Sequence, residues 1–228
     1  QAVHTNRKLH TNTIASYWSA FLGTLHAAHR DRKIKENPCP YLERVKTIPT
    51  DRVGLSAEEL IQLAETPCDV PVLRTAFLFS CLTGLRKSDV KPFSWELIQP
   101  EADGTLYITD RMQKTDQIVH NPIGEEALAL IDDGIREGIV FRGFKESMTQ
   151  APLKRWVKAA GITKHITYHS SRHTFCSLQL HAGTDVNTVK ELVGHKNIST
   201  TQQYLDSVDS RKKDAANRIT IKRKEEHP

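Results

Sequence analysis

The stretch Asn37-Pro38-Cys39-Pro40 limits this chain more than any other feature. Proline lacks an N–H and disfavours the helical region for the residue before it, so neither a long helix nor a central strand can run through the segment. A polar stretch carrying Pro49 follows, and residues 35–53 read as a linker. The chain therefore divides into a short piece, 1–50, and a long one, 51–228. Across 228 residues, 38% hydrophobic content suffices for one sizeable core plus an appendage.

Before the break, Ile14, Tyr17, Trp18, Phe21, Leu22, Leu25 and Ala28 form the stripe of an amphipathic helix spanning 11–33. After it, Ser56-Ala-Glu-Glu59 has capping-box spacing, and Val70 to Leu82 forms an apolar helix stopped by Gly84. Residues 105–109 and 117–123 read as two short strands around the polar turn 110–116. From Glu125 the pattern is helical again, with stops at Gly161 and Gly183. The expected fold class is mainly α with a small β-sheet (α+β).

No apolar run approaches the ~20 residues that span a bilayer, and no signal-peptide core is visible, so the expectation is a cytoplasmic protein without a membrane partner. Cys39, Cys68, Cys81 and Cys176 are scattered without a CxxC pair, which points to reduced thiols rather than a disulfide or zinc scaffold. The formal charge is +5, but its distribution is uneven: net +5 over 1–46, −2 over 47–204 and +2 over 205–228. Bulk charge is thus a weak pointer to nucleic acid in the central segment.

Chemistry concentrates in His169-Ser-Ser-Arg172-His173, followed by Val193-Gly194-His195 and, nine residues on, Tyr204. On a helix His169 and Arg172 share a face. Arginine holds phosphate oxygens bidentately and stays protonated, histidine donates a hydrogen bond or moves a proton, and tyrosine can serve as a covalent nucleophile. Ionising a phenol of pKa ~10 at pH 7 costs about 4 kcal/mol, which a nearby base or a cluster of cations can offset. The set suits covalent phosphoryl transfer to tyrosine.

These residues resemble the tyrosine recombinase (phage integrase) family, whose signature is H-x-x-R, then G-H, then a tyrosine nine residues on. The family's upstream T-G-x-R-x-x-E/D motif is matched by Thr83-Gly84-Leu85-Arg86-Lys87-Ser88-Asp89, and its hairpin lysine by Lys114. The resemblance spans about residues 55–210. Ser171 stands where the family usually has leucine before the second arginine, and Val193 where it has leucine before Gly-His; neither change removes a reactive group.

The resemblance implies a catalytic domain preceded by a partial helical core-binding segment, because residues 1–46 are too short for the complete clamp. It also implies roles. Arg86 and Arg172 would hold the scissile phosphate, and Tyr204 would attack to form a 3′-phosphotyrosyl bond. Lys114 would protonate the leaving 5′-oxygen, His169 would take or share the nucleophile's proton, and His195 would donate to the phosphate. Asp89 would orient Arg86. No cofactor and no metal would be required. Lys154, Arg155 and Lys158 are candidate DNA-backbone contacts. The implied partners are double-stranded DNA at specific recombination sites and three further copies in a tetramer, joined by the segment after Tyr204, with Ile219 and Ile221 as anchors.

Competing readings are weaker. His165, His169 and His173 recur at i, i+4 and i+8 as a metal face would, but no glutamate completes a zinc-protease pattern and Arg172 would repel a cation. His173 reads as a packing or hydrogen-bonding residue. A type IB topoisomerase would use the same phosphotyrosine, and a DNA-binding accessory protein would use none of it.

Overall fold

The computed structural model describes residues 9–48, 52–111 and 118–205, and the chain forms two compact units, 1–51 and 52–228. In the first unit, α1 (Thr11–Arg30) starts at His10, whose ring nitrogen accepts from the Asn12 N–H. The segment read as a linker packs back on α1. The Asn12 side chain exchanges two hydrogen bonds of 2.8 Å with the backbone of Ile48, and Trp18 donates to the Glu43 carbonyl at 2.8 Å. This cover is too small to bury the apolar stripe. Ala15 is the one buried residue of α1, whereas Ile14, Tyr17 and Phe21 remain exposed.

The second unit opens with α2 (Ala57–Glu65), whose capping box between Ser56 and Glu59 forms as expected. Next comes α3 (Pro71–Thr83), a helix with proline in its first turn and Gly84 as a left-handed cap at φ 71°. A short α4 (Lys87–Val90) follows. The sheet has three antiparallel strands rather than two, in the order β1 (Ile98–Pro100), β2 (Leu106–Arg111), β3 (Ile118–Pro122), with Ile98 opposite Ile108 and Ile108 opposite Asn121. The extra strand is three residues long and contains a proline, so its sequence carries no alternation to reveal it. Then come α5 (Glu125–Ile131), α6 (Ala151–Ala159), α7 (Ser170–His181), α8 (Val186–Leu192) and α9 (Ser199–Gln202). Gly161 and Gly183, the predicted stops, follow α6 and α7 with positive φ.

The main core surrounds α3, where Phe77 meets Trp156 and Tyr168 edge-on at centroid distances of 5.9 and 5.7 Å. Polar handles are satisfied as burial requires: Trp156 donates to the Thr66 carbonyl and Tyr168 to that of Ala76, both at 2.9 Å. A smaller cluster of Phe175, Cys176, Leu180, Val189, Val193 and Tyr204 joins α7 to α8 and α9. The extended residues before α2 dock on α7, where the Leu55 N–H donates to Thr174 Oγ1 at 2.9 Å. Among the described residues, no helix is long and apolar enough to cross a membrane.

Candidate active site

Two loops build the floor of the site. Gly84 turns the chain out of α3 so that Arg86 emerges as the cap of α4, and α8 ends in Val193 and Gly194, the latter at φ 58°, just before His195. A Cβ on Gly84 would lie 2.6 Å from a Phe175 ring carbon, so this turn admits only glycine both by conformation and by space.

Arg172, in the first turn of α7, is 1% exposed and spans the two loops. It donates to the Gly84 carbonyl at 2.7 Å and, through Nη2, to that of Val193. Burial, and next the charge of Arg86, lower its pKa to about 10, which leaves it protonated at neutral pH. Arg86 donates through Nη2 to the Gly194 carbonyl at 3.3 Å. Its Nη1 is buried and has no hydrogen-bond partner among the described residues. Burial also lowers the Arg86 pKa, against the opposing pull of the buried Asp89 carboxylate, which acts on both guanidiniums. An unsatisfied buried donor on a cation costs about 1–3 kcal/mol or more, and an incoming anionic oxygen would relieve it.

Tyr204 lies just past the end of α9 rather than within the helix expected there, and it is 3% exposed. Its hydroxyl stands 2.6 Å from His173 Nδ1 and accepts from Arg52 Nη1 at 3.1 Å. Arg52 also donates to the Thr200 carbonyl at 3.2 Å and lies over the tyrosine ring at 5.2 Å. Burial, and next Cys176, push the phenol up to about 12. His173 falls to about 4, first through burial and then through the neighbouring cations, so its ring is neutral at pH 7.

His169 caps α7 from an exposed position, its ring edge-on to that of His173 at 4.5 Å. His195 Nδ1 pairs with Thr201 Oγ1 at 2.9 Å, and burial together with Arg172 and Arg86 lowers its pKa to about 3. Asn121 on β3 donates to the Leu192 carbonyl at 2.6 Å, tying the sheet to the loop that carries His195.

Arg86, Arg172, His195, Asp89 and Tyr204 are thus gathered around the ends of α3, α7 and α8. Lys114 lies outside the described residues, as do Ile219 and Ile221. Lys154, Arg155 and Lys158 are all exposed on α6, opposite the buried Leu153, Trp156 and Val157. Of the three, Lys154 lines an open cleft of about 620 Å³ with Arg86, Lys87, Gln150, His165 and His169, and the other two do not. Lys87 in this cleft is paired with Glu146.

Of the two residues shown against the tyrosine hydroxyl, Arg52 carries no assignment from the sequence, and His173 is the hydrogen-bonding residue expected there. Arg52 sits in a stretch without periodicity, and nothing there marks it. His173, four residues after His169, shares its helix face, and that spacing was a usable signal.

With this geometry in hand, comparison with known proteins is informative. The phage integrase family matches residues 55–211, more than half of the chain, a span that includes Arg86, Arg172, His195 and Tyr204. The chain belongs to the phage integrase family. Among curated relatives, the tyrosine recombinase XerC of Xanthomonas campestris is 29% identical over 164 residues, covering 66% of this chain and 50% of its own length. The XerC of Syntrophus aciditrophicus is 28% identical over 233 aligned positions, covering 87% and 70%. The chain therefore spans about half the length of the first of these relatives. The fold matches that of XerH, a site-specific recombinase solved on its difH substrate before cleavage, with a TM-score of 0.67, 19% identity and coverage of 95% of this chain and 68% of XerH.

Proposed function

We propose that this chain is the catalytic part of a site-specific DNA recombinase or integrase that cleaves and rejoins strands through a 3′-phosphotyrosyl bond. The observation that carries this reading is the convergence of Arg86 and Arg172 on the carbonyls of Gly84, Val193 and Gly194, beside His195, with the Val193 side chain packed in the small cluster that also holds Tyr204.

In this reading the two guanidiniums hold the non-bridging oxygens of the scissile phosphate, with Arg86 Nη1 supplying an uncommitted donor and Asp89 steadying Arg86. Both act most strongly on the extra charge of the pentacoordinate transition state. With Thr201 donating to Nδ1, neutral His195 carries its proton on Nε2 and donates to the phosphate. Tyr204 attacks in line, Lys114 protonates the departing 5′-oxygen, and His169 shares the proton traffic near the nucleophile. One phosphodiester replaces another, so the exchange is close to isoenergetic and needs no nucleotide hydrolysis. The exposed face of α6, led by Lys154 in the cleft, supports a DNA-backbone contact. Residues 1–50 serve as part of the DNA clamp, and a tetramer linked through the segment after Tyr204 assembles on the DNA, in the cytoplasm at the nucleoid.

A nicked half-site that loses its cleaved strand traps the intermediate. A denaturation-resistant protein–DNA adduct is expected in EDTA with the wild-type chain, and none with Tyr204→Phe although that variant still binds DNA. An adduct in the Phe variant, or a strict need for divalent metal, overturns the reading.

A further inference from the structure

We propose that His173 and Arg52 activate the nucleophile: as the bond from Tyr204 to phosphorus forms, the phenol proton passes to His173 Nδ1 while Arg52 stabilises the developing phenolate. This rests on the cleavage reading above and departs from it in assigning the proton to His173 rather than to His169.

Geometry carries the assignment. The hydroxyl oxygen receives an N–H from Arg52 at 3.1 Å, and the ring nitrogen of His173, 2.6 Å away, is within reach of its own hydrogen. Arg52 is itself fixed by the Thr200 carbonyl and by its place over the phenol ring. A guanidinium cannot take a proton, and a neutral imidazole can, so the roles are not interchangeable. The charged and titratable groups facing the pair are His169, Arg172 and Cys176 on α7 and its cap, and Arg52 on the segment entering α2.

The balance is simple. The O–H bond of Tyr204 breaks and its proton moves to Nδ1; the O–P bond forms as the bond from phosphorus to the 5′-oxygen breaks, and that oxygen takes a proton from the acid on the DNA side. Rejoining runs the same steps backwards. In the free protein the gap between about 12 for Tyr204 and about 4 for His173 keeps the proton on the tyrosine. As the O–P bond forms, the phenol oxygen loses its basicity, so the proton leaves for Nδ1 in step with the attack. Activation is thereby coupled to a filled site.

The test uses the 228-residue chain on the nicked half-site, with single-turnover adduct rates measured from pH 5 to 9. His173→Gln should slow adduct formation about 10²–10⁴-fold and abolish the acidic limb of the profile. Arg52→Ala should slow it on the order of 10–100-fold, the scale of a lost charge-assisted hydrogen bond, and Arg52→Lys should recover part of that. A bridging 5′-phosphorothiolate, whose leaving group needs no proton, should rescue neither variant. Replacing Tyr204 by the more acidic 3-fluorotyrosine should partly rescue Arg52→Ala, an effect that a merely structural role for Arg52 would not produce. Wild-type rates in folded Arg52→Ala and His173→Gln, faster cleavage, or rescue by the phosphorothiolate would overturn the assignment. Absence of any adduct with the wild-type chain would overturn the cleavage reading itself and this inference with it.

Discussion

Around α3, twenty-six buried hydrophobic residues form the main core, while α7, α8 and α9 bury a cluster of six among the described residues. The proposed nucleophile and the loop bearing His195 belong to the small cluster; the loop bearing Arg86 hangs from the main core through Gly84. A region that buries little apolar surface opens locally at low cost, and elements that must move are drawn from that end of the stability range. The Arg86 side of the site is therefore expected to be the rigid one, and the side bearing His195 and Tyr204 the one that yields. Amide exchange should separate the two, with α8 and α9 exchanging faster than α3.

The strongest way to break the contrast is to cut the strap between its halves. Arg172 joins the Gly84 carbonyl, at the end of α3, to the Val193 carbonyl, at the end of α8. Arg172→Ala leaves both carbonyls without that donor and should cost about 3–5 kcal/mol of stability, together with a loss of adduct formation on the order of 10³-fold. Arg172→Lys should return much of the stability and little of the rate, because an ammonium cannot span both carbonyls and still face a phosphate. Equal recovery of the two would mean that the strap and the phosphate clamp are not separable.

Next come paired deletions. Phe77→Ala in the main core should cost about 3–5 kcal/mol while leaving the adduct rate of the folded fraction within a few-fold of wild type. Val189→Ala in the small cluster should cost only about 2 kcal/mol yet slow cleavage more, because it loosens the helix that delivers Gly194 and His195. Urea unfolding read beside adduct rates decides it. A larger kinetic defect in Phe77→Ala would erase the distinction between the regions.

Much of this was legible in the sequence, for local reasons. The capping box at Ser56 and the glycine stops at positions 84, 161 and 183 are short-range patterns that chain geometry forces, whereas Arg86, Arg172, His195 and Tyr204 stand out through the family resemblance of their motifs. The misses are long-range. The contact between Arg52 and Tyr204 joins residues 152 apart in sequence, and no periodicity encodes it. The stripe on α1 was read correctly as amphipathic, but periodicity marks only the face that can be covered, and Ile14, Tyr17 and Phe21 stay exposed. His169 caps α7 with helical backbone angles of φ −68° and ψ −20°, so it keeps the i, i+3 relation to Arg172 that their spacing implies.

Acid should sharpen the comparison with a smaller effect. His195 and His173 are held at about 3 and about 4, below the value near 6.5 that imidazoles take in the unfolded chain. Above pH 6.5 neither state binds these protons and the histidines are neutral in their effect. As the pH falls through 6.5 towards 4 the unfolded chain gains protons that the folded one refuses, and stability is lost. The melting temperature should therefore fall over this window, and His195→Gln should flatten the slope relative to wild type. An unchanged slope would show that the carboxylates, not the site histidines, govern acid unfolding.

The smallest effect probes the one side-chain bond shown here between the sheet and the yielding half. Asn121 on β3 donates to the Leu192 carbonyl at the end of α8, and Asn121→Ala removes about 1 kcal/mol with it. Loss of stability alone would make Asn121 a fastener. In the reading proposed above the acid is Lys114, which follows β2 in sequence, so a bond that fixes the sheet to the loop of His195 is expected to matter to the acid step as well. Asn121→Ala should then lower the adduct rate by more than the ~5-fold its stability loss represents, and the excess should shrink on the 5′-phosphorothiolate, where the acid is not needed. A defect of equal size on both substrates would place Asn121 with the phosphate-holding residues instead.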